Sequence, residues 1–191
     1  DPLTNPEVEF DFCNNNDNDC DGFLDEDSKY EWNVATIVDD DVYILDPSTG
    51  AESLLVTFDE SVNPSSVASY DQGGVYTVID GDLVSLNVCE NEITTIGSTG
   101  SLYIDGMSFT ADGTLYGMNT DTDQFMRFNL STGYTTAVGI MNFDVQVSDM
   151  AYDCTTATMW AVEATSNTLY ELDITTGEAS YFRTLDFGMT T

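Results

Sequence analysis

The stretch Leu169-Tyr170-Glu171-Leu172-Asp173-Ile174-Thr175-Thr176-Gly177 decides the fold, because it is one of four copies of a single phrase. An apolar pair, one further residue, an apolar residue, then Asp or Asn leads into a turn. The phrase recurs as Val42-Tyr43-Ile44-Leu45-Asp46-Pro47-Ser48-Thr49-Gly50 and as Phe125-Met126-Arg127-Phe128-Asn129-Leu130-Ser131-Thr132-Gly133, with a degenerate copy at Leu83-Val84-Ser85-Leu86-Asn87-Val88-Cys89-Glu90-Asn91. The anchoring Asp or Asn residues stand at 46, 87, 129 and 173, at spacings of 41, 42 and 44 residues. The end of the phrase has a local reason. Asp, Ser and Thr side chains bond nearby backbone groups and initiate turns, and Gly accepts a positive φ.

A second phrase recurs upstream of the first, as Gly74-Val75-Tyr76, Gly113-Thr114-Leu115-Tyr116 and Ala157-Thr158-Met159-Trp160. A third precedes it, as Val67-Ala68-Ser69-Tyr70, Met107-Ser108-Phe109 and Met150-Ala151-Tyr152. Each repeat therefore holds about four short strands separated by Gly, Asp and Asn turns, and no helix-period segment of useful length competes. Four-stranded repeats of this length are the sequence signature of propeller blades. The expected fold is all-β, a β-propeller-like array of four units of about 42 residues over 32–191, preceded by a leader and acidic loop over 1–31. Tyr43, Tyr76, Tyr116, Trp160 and Tyr170 fall at recurring apolar positions, which reads as blade core rather than a ligand platform.

These repeats resemble the YncE-like family, whose units carry a "G-x-L-Y" strand followed by an "L-Y-x-[LI]-D-x-x-T-G" hairpin. The resemblance covers roughly 32–191 and implies a propeller fold, with little specificity for function. The array is incomplete at both ends. Its first unit has a second strand at Ala35 to Val38 but no recognisable first strand, and Phe187-Gly188-Met189-Thr190-Thr191 reads as the start of a fifth unit. A lone strand exposes ladder groups. It is expected to complete a blade in the same chain, in a neighbouring chain, or in further sequence.

The strongest local chemistry lies in Cys13-Asn14-Asn15-Asn16-Asp17-Asn18-Asp19-Cys20-Asp21-Gly22-Phe23-Leu24-Asp25-Glu26. Asp17, Asp19, Asp21, Gly22 and Asp25 match positions 1, 3, 5, 6 and 9 of an EF-hand-type loop. In such a loop alternate carboxylates point inward, Gly permits the sharp bend, and a carbonyl, here that of Phe23, supplies position 7. Position 12 is Ser28, so Glu26 or Asp27 must provide the last ligand or the site is weaker. The candidate metal ligands are Asp17, Asp19, Asp21, Phe23, Asp25 and Glu26. Cys13 and Cys20 enclose this loop and are expected to be bridged in an oxidising compartment. Cys89 and Cys154 sit in turns of two other repeats; pairing with each other, with another chain or with neither is open. The loop resembles the Cys-bracketed acidic repeat of MopE-type surface proteins and, more loosely, thrombospondin type 3 repeats, with Asn15 in place of the family Gly. MopE-type proteins are associated with copper. A chain without His offers mostly hard oxygen ligands, so the metal expected here is Ca2+.

Thirty-five Asp and Glu face 3 Lys and Arg, for a formal net charge of −32. Such a surface is a poor partner for nucleic acid or anionic membranes, and it needs screening or bound cations to stay compact. No apolar run approaches the roughly 20 residues that cross a bilayer. The start at Asp1 without Met or a signal core reads as a mature or excised product. Four cysteines beside a composition rich in Asp, Asn, Thr, Ser and Tyr point to an extracellular or cell-surface location. Without His, and with Lys29, Arg127 and Arg183 as the whole cationic set, catalytic triads and phosphate cradles lack their usual parts. The chain is expected not to be an enzyme, a carboxylate-based glycoside-active enzyme being the minor alternative. The leading expectation is a secreted calcium-binding protein with a structural or adhesive role, through self-association or contact with extracellular proteins or glycans. The alternative is a carbohydrate- or protein-binding propeller module of a larger protein.

Overall fold

A computed structural model describes residues 34–46, 48–58, 66–70, 74–87, 92–145 and 148–186. These form an all-β architecture of fifteen strands in four antiparallel sheets of the propeller-blade type. The first sheet holds β1 (Val34–Val38), β2 (Asp41–Leu45) and β3 (Glu52–Thr57). The second holds β4 (Val67–Tyr70), β5 (Gly74–Ile79), β6 (Asp82–Asn87) and β7 (Glu92–Ser98). The third holds β8 (Ile104–Phe109), β9 (Leu115–Asn119), β10 (Gln124–Phe128) and β11 (Thr135–Ile140). The fourth holds β12 (Ser148–Asp153), β13 (Thr158–Glu163), β14 (Thr168–Leu172) and β15 (Ala179–Thr184). Strands follow one another in sequence across every sheet. Three sheets have the four strands expected, while the first shows three among the described residues. By compactness the chain divides into two bodies. One holds the first sheet and part of the second; the other holds the rest of the second with the third and fourth.

The three recurring phrases map onto the first three strands of each complete sheet. Third-phrase residues form β4, β8 and β12, second-phrase residues open β5, β9 and β13, and the apolar part of the first phrase lies in β6, β10 and β14. The hairpin between β5 and β6 shows why the turn residues recur. Asp80 and Gly81 form its two-residue loop with φ of 51° and 84°, a pair of positive values that Asp-Gly tolerates and that matches the strand twist.

The main core lies between the third and fourth sheets. Met118, Phe125, Met141 and Val145 pack with Met150, Met159, Ala161 and Leu172. Each large side chain removed from water there stabilises the fold by about 1.5–3 kcal/mol before entropic costs. The connector between these sheets is held by polar bonds. The Met141 N–H donates to the Asp123 carbonyl at 2.8 Å, and the Val145 N–H to its carboxylate at 3.0 Å. The Ala179 N–H donates to Asn142 Oδ1 at 2.9 Å. Phe143 stacks on Tyr170 with ring centroids 4.3 Å apart.

Candidate functional site

The metal ligands expected from the sequence, Asp17, Asp19, Asp21, Phe23, Asp25 and Glu26, lie outside the described residues, as do Cys13, Cys20 and Cys89. Cys154 is an exposed free thiol in the turn between β12 and β13. Among the described residues no three His, Cys, Asp or Glu side chains gather as a metal site.

Most acidic groups in the repeats whose hydrogen bonds are defined serve turns. After β2, the Asp46 carboxylate accepts the Ser48 N–H at 2.7 Å and the Ser48 and Thr49 hydroxyls at 2.6 Å each. Those side-chain bonds, then the Ser48 amide, hold its carboxyl down at about 2. Asp173 after β14 accepts the Thr175 N–H at 2.7 Å, and this amide bond lowers its carboxyl. Asn129 holds the same place after β10, with Oδ1 accepting the Ser131 N–H at 2.9 Å. The Asn129 side chain is thereby engaged in the turn. Asp153 is lowered by the Thr156 hydroxyl and then the Thr155 amide. For Glu163, burial works against the charge, but bonds from Ser166 and Thr165 outweigh it and the carboxyl titrates below its ordinary value.

Two carboxyls behave differently. Asp105 on β8 and Asp149 on β12 stand on neighbouring strands of successive sheets, and a Cβ at Gly106 would come within 3.0 Å of the Asp149 Cα. Desolvation raises the Asp105 carboxyl first, and the Asp149 charge adds to it. Asp149 as a residue keeps surface open to solvent, yet its carboxyl is desolvated enough to titrate above its ordinary value despite the bond from the Met150 N–H. Each therefore holds a proton more readily than an exposed aspartate does. Sequence reasoning could not single the pair out, because nothing in one chain tells which two of 35 acids fall on adjacent strands.

The Thr-Gly turns of the repeats meet glycines of the preceding sheet. A Cβ on Gly133 would lie 2.0 Å from the Gly97 carbonyl oxygen in β7, and a Cβ on Gly139 in β11 would lie 1.8 Å from that of Thr176. Each turn thus seats directly on backbone, a latch that works only with glycine on the receiving strand. Gly50, in the first repeat's turn, has nothing within 4 Å of a built Cβ. In the fourth sheet Arg183 takes the receiving place, since it pairs with Leu169 as Gly139 pairs with Phe125. Its guanidinium lies 5.0 Å from the ring centre of Phe182, which packs edge-on against Trp160 at 4.8 Å.

No family model matches the sequence, and no curated protein matches it. Solved structures do resemble it. One is a protein of unknown function from Bacteroides thetaiotaomicron, with a TM-score of 0.57 and 15% identity over 81% of this chain and 43% of that one. TolB from Acinetobacter baumannii gives 0.54 and 15% over 82% and 42%. Regucalcin, a calcium-binding protein from Agrobacterium tumefaciens, gives 0.52 and 14% over 78% and 56%. The chain has the β-propeller fold. It spans about half the length of these proteins, and at such identities the likeness carries the fold alone.

Proposed function

We propose that this protein is a calcium-binding β-propeller protein of the cell surface or extracellular space, with a structural or adhesive role. The observation that carries the reading is the spacing of Asp17, Asp19, Asp21 and Asp25 around Gly22, with the Phe23 carbonyl at position 7 of the loop. The charge supports it, since a chain at −32 gains compactness from any bound divalent cation. A calcium-binding protein among the similar structures, and an extracellular domain of a one-component system from B. thetaiotaomicron with a TM-score of 0.52, agree with it in kind. Titration calorimetry of the full chain should show one calcium site, lost when Asp17 and Asp19 are both replaced by Ala. Heat of binding that survives the double replacement removes this reading.

A second reading, a glycan-binding module, is favoured by exposed aromatics. Tyr103 is 56% and Tyr134 is 61% exposed, and rings so placed are available to stack on sugars.

A further inference from the structure

The turn residues of the β5–β6 hairpin carry a reactivity as well as a shape. An Asp followed by Gly can cyclise: the Gly amide nitrogen attacks the Asp side-chain carboxyl carbon, a C–N bond forms, and the carboxyl oxygen leaves as water with the amide proton. Water then opens either carbonyl of the resulting succinimide and gives aspartate or isoaspartate, with nothing oxidised or reduced. Three Asp-Gly pairs fall among the described residues, at Asp80-Gly81, Asp105-Gly106 and Asp112-Gly113. Their surroundings differ. The Asp112 carboxylate accepts the Thr110 hydroxyl at 2.6 Å and the Thr114 N–H at 3.2 Å, while the Gly113 N–H donates to the Thr110 carbonyl at 2.9 Å, so both reacting groups are held. At Asp105-Gly106 the Met118 side chain and the Asp149 backbone crowd the glycine and leave a new ring no space. Asp80 is exposed, and its carboxylate accepts no hydrogen bond among the described residues. In a two-residue hairpin loop the N–H of the second residue lies outside the strand ladder, so the Gly81 nitrogen is not tied up either.

We propose that Asp80 is a site of spontaneous isoaspartate formation in the folded protein, and that the change loosens the join between the second and third sheets. When the ring opens at the former Asp80 main-chain carbonyl, the backbone is rerouted through the side-chain carbons, which adds one carbon to a loop of two residues. The Gly81 carbonyl is an anchor at that point. It accepts the Thr99 N–H at 2.9 Å and shares the Thr99 hydroxyl with the Ser101 carbonyl. Thr99 is 1% exposed, and its own carbonyl accepts the Thr135 N–H at 3.2 Å and the Thr135 hydroxyl at 2.8 Å. Displacing Gly81 therefore unfastens Thr99, and Thr135 with it. One repeat later Met141 stands where Thr99 stands, bonded in the same way to the Asp123 carbonyl, but its side chain also packs in the main core. Thr99 has only polar bonds to hold it, so the second join is the one that a longer turn weakens. The inference rests neither on calcium binding nor on location.

The test ages the full chain in heavy-oxygen water at body temperature and neutral pH. Each ring opening leaves one heavy oxygen in the product, and fragment spectra that distinguish isoaspartate from aspartate place it. The isomer should build up at Asp80 at least roughly tenfold faster than at Asp105 or Asp112, where packing or charge-assisted hydrogen bonds must yield first. Asp80→Asn keeps a residue suited to this turn and should convert faster than the parent, because ammonia leaves more readily than water at neutral pH. Asp80→Glu should not convert, since a larger ring would have to close. In the isomer, separated from the parent by chromatography, amide exchange at Thr99 and Thr135 should be severalfold faster. Isoaspartate that is absent from Asp80, or that builds first at Asp105 or Asp112, overturns the proposal. So does an Asp80→Asn variant that keeps its amide group through the same ageing, which would show that the turn forbids the ring. An isomer whose Thr99 and Thr135 amides exchange as in the parent overturns the loosening.

Discussion

Adding one methyl group at Gly139 brings a carbon to 1.8 Å from the Thr176 carbonyl oxygen, although the backbone there has no left-handed φ. Gly50 is the reverse case, with φ of +71° and open space around it. The two positions separate crowding from conformational strain. Gly139→Ala should lower stability by about 1–3 kcal/mol through overpacking alone. Gly50→Ala should lower it by about 1–2 kcal/mol through the left-handed backbone. Gly133→Ala combines both and should exceed either. Urea midpoints at constant slope measure all three, and a neutral Gly139→Ala would show that the rim contact is not tight. From sequence, the Thr-Gly pair was legible as a turn. Its seat was not, because Gly97 and Gly139 lie in outer strands whose side chains are mostly solvent-facing and leave no periodic trace.

The strands divide by how much of them is buried, and legibility follows that division. All of β9 is buried and β13 is buried at alternate positions, which puts recurring apolar residues in the sequence. By contrast β15 is exposed from its second residue onward, and the outer strands formed no recognised phrase. The turns after β2, β10 and β14 each use an acceptor oxygen at their first position, which a neutral amide can also supply, because Asn129 does in one repeat what Asp46 and Asp173 do in others. At neutral pH Asp173→Asn should therefore lower the urea midpoint only slightly, since it keeps the acceptor and loses the favoured charge, whereas Asp173→Ala should lower it more. Equal losses in the two variants would mean that the turn needs the carboxylate itself.

For the molecule as a whole, charge sets the response to pH. Asp105 and Asp149 hold their protons more tightly in the folded state, so stability should grow as pH falls through their raised pKa values. General relief of repulsion among the acidic groups acts in the same direction. Asp46, Asp112, Asp153, Glu163 and Asp173 act oppositely. Their lowered pKa values stabilise the fold above the ordinary carboxyl range near about 4, and this is lost as they protonate below it. Thermal unfolding should thus show a melting temperature that rises from pH 7 to about 5 and falls below about 4, with the rise flattened in high salt. A profile without the rise would mean that repulsion is already neutralised at pH 7. At this scale the sequence disclosed the repeat array through spacing, while the partial fifth unit expected over Phe187–Thr191 lies outside the described residues. The closeness of Asp105 and Asp149 stayed hidden, because it depends on which strands the sheets bring together.

The rim latch also bears on how such an array grows in evolution. Residues 98–139 contain both a seating turn, at Gly133, and a receiving glycine, at Gly139. Gly97 stands one repeat of 42 residues before Gly139, so the segment between them begins and ends at equivalent points. A tandem duplication of that segment would carry matching joints at both junctions. The new turn would seat on the old Gly139, and the new receiving glycine would accept Thr176-Gly177. Lengthening by whole modules is therefore open to this gene in the middle of the array. In the fourth repeat an arginine stands where those glycines do, so a copy of that repeat would not carry the same joint.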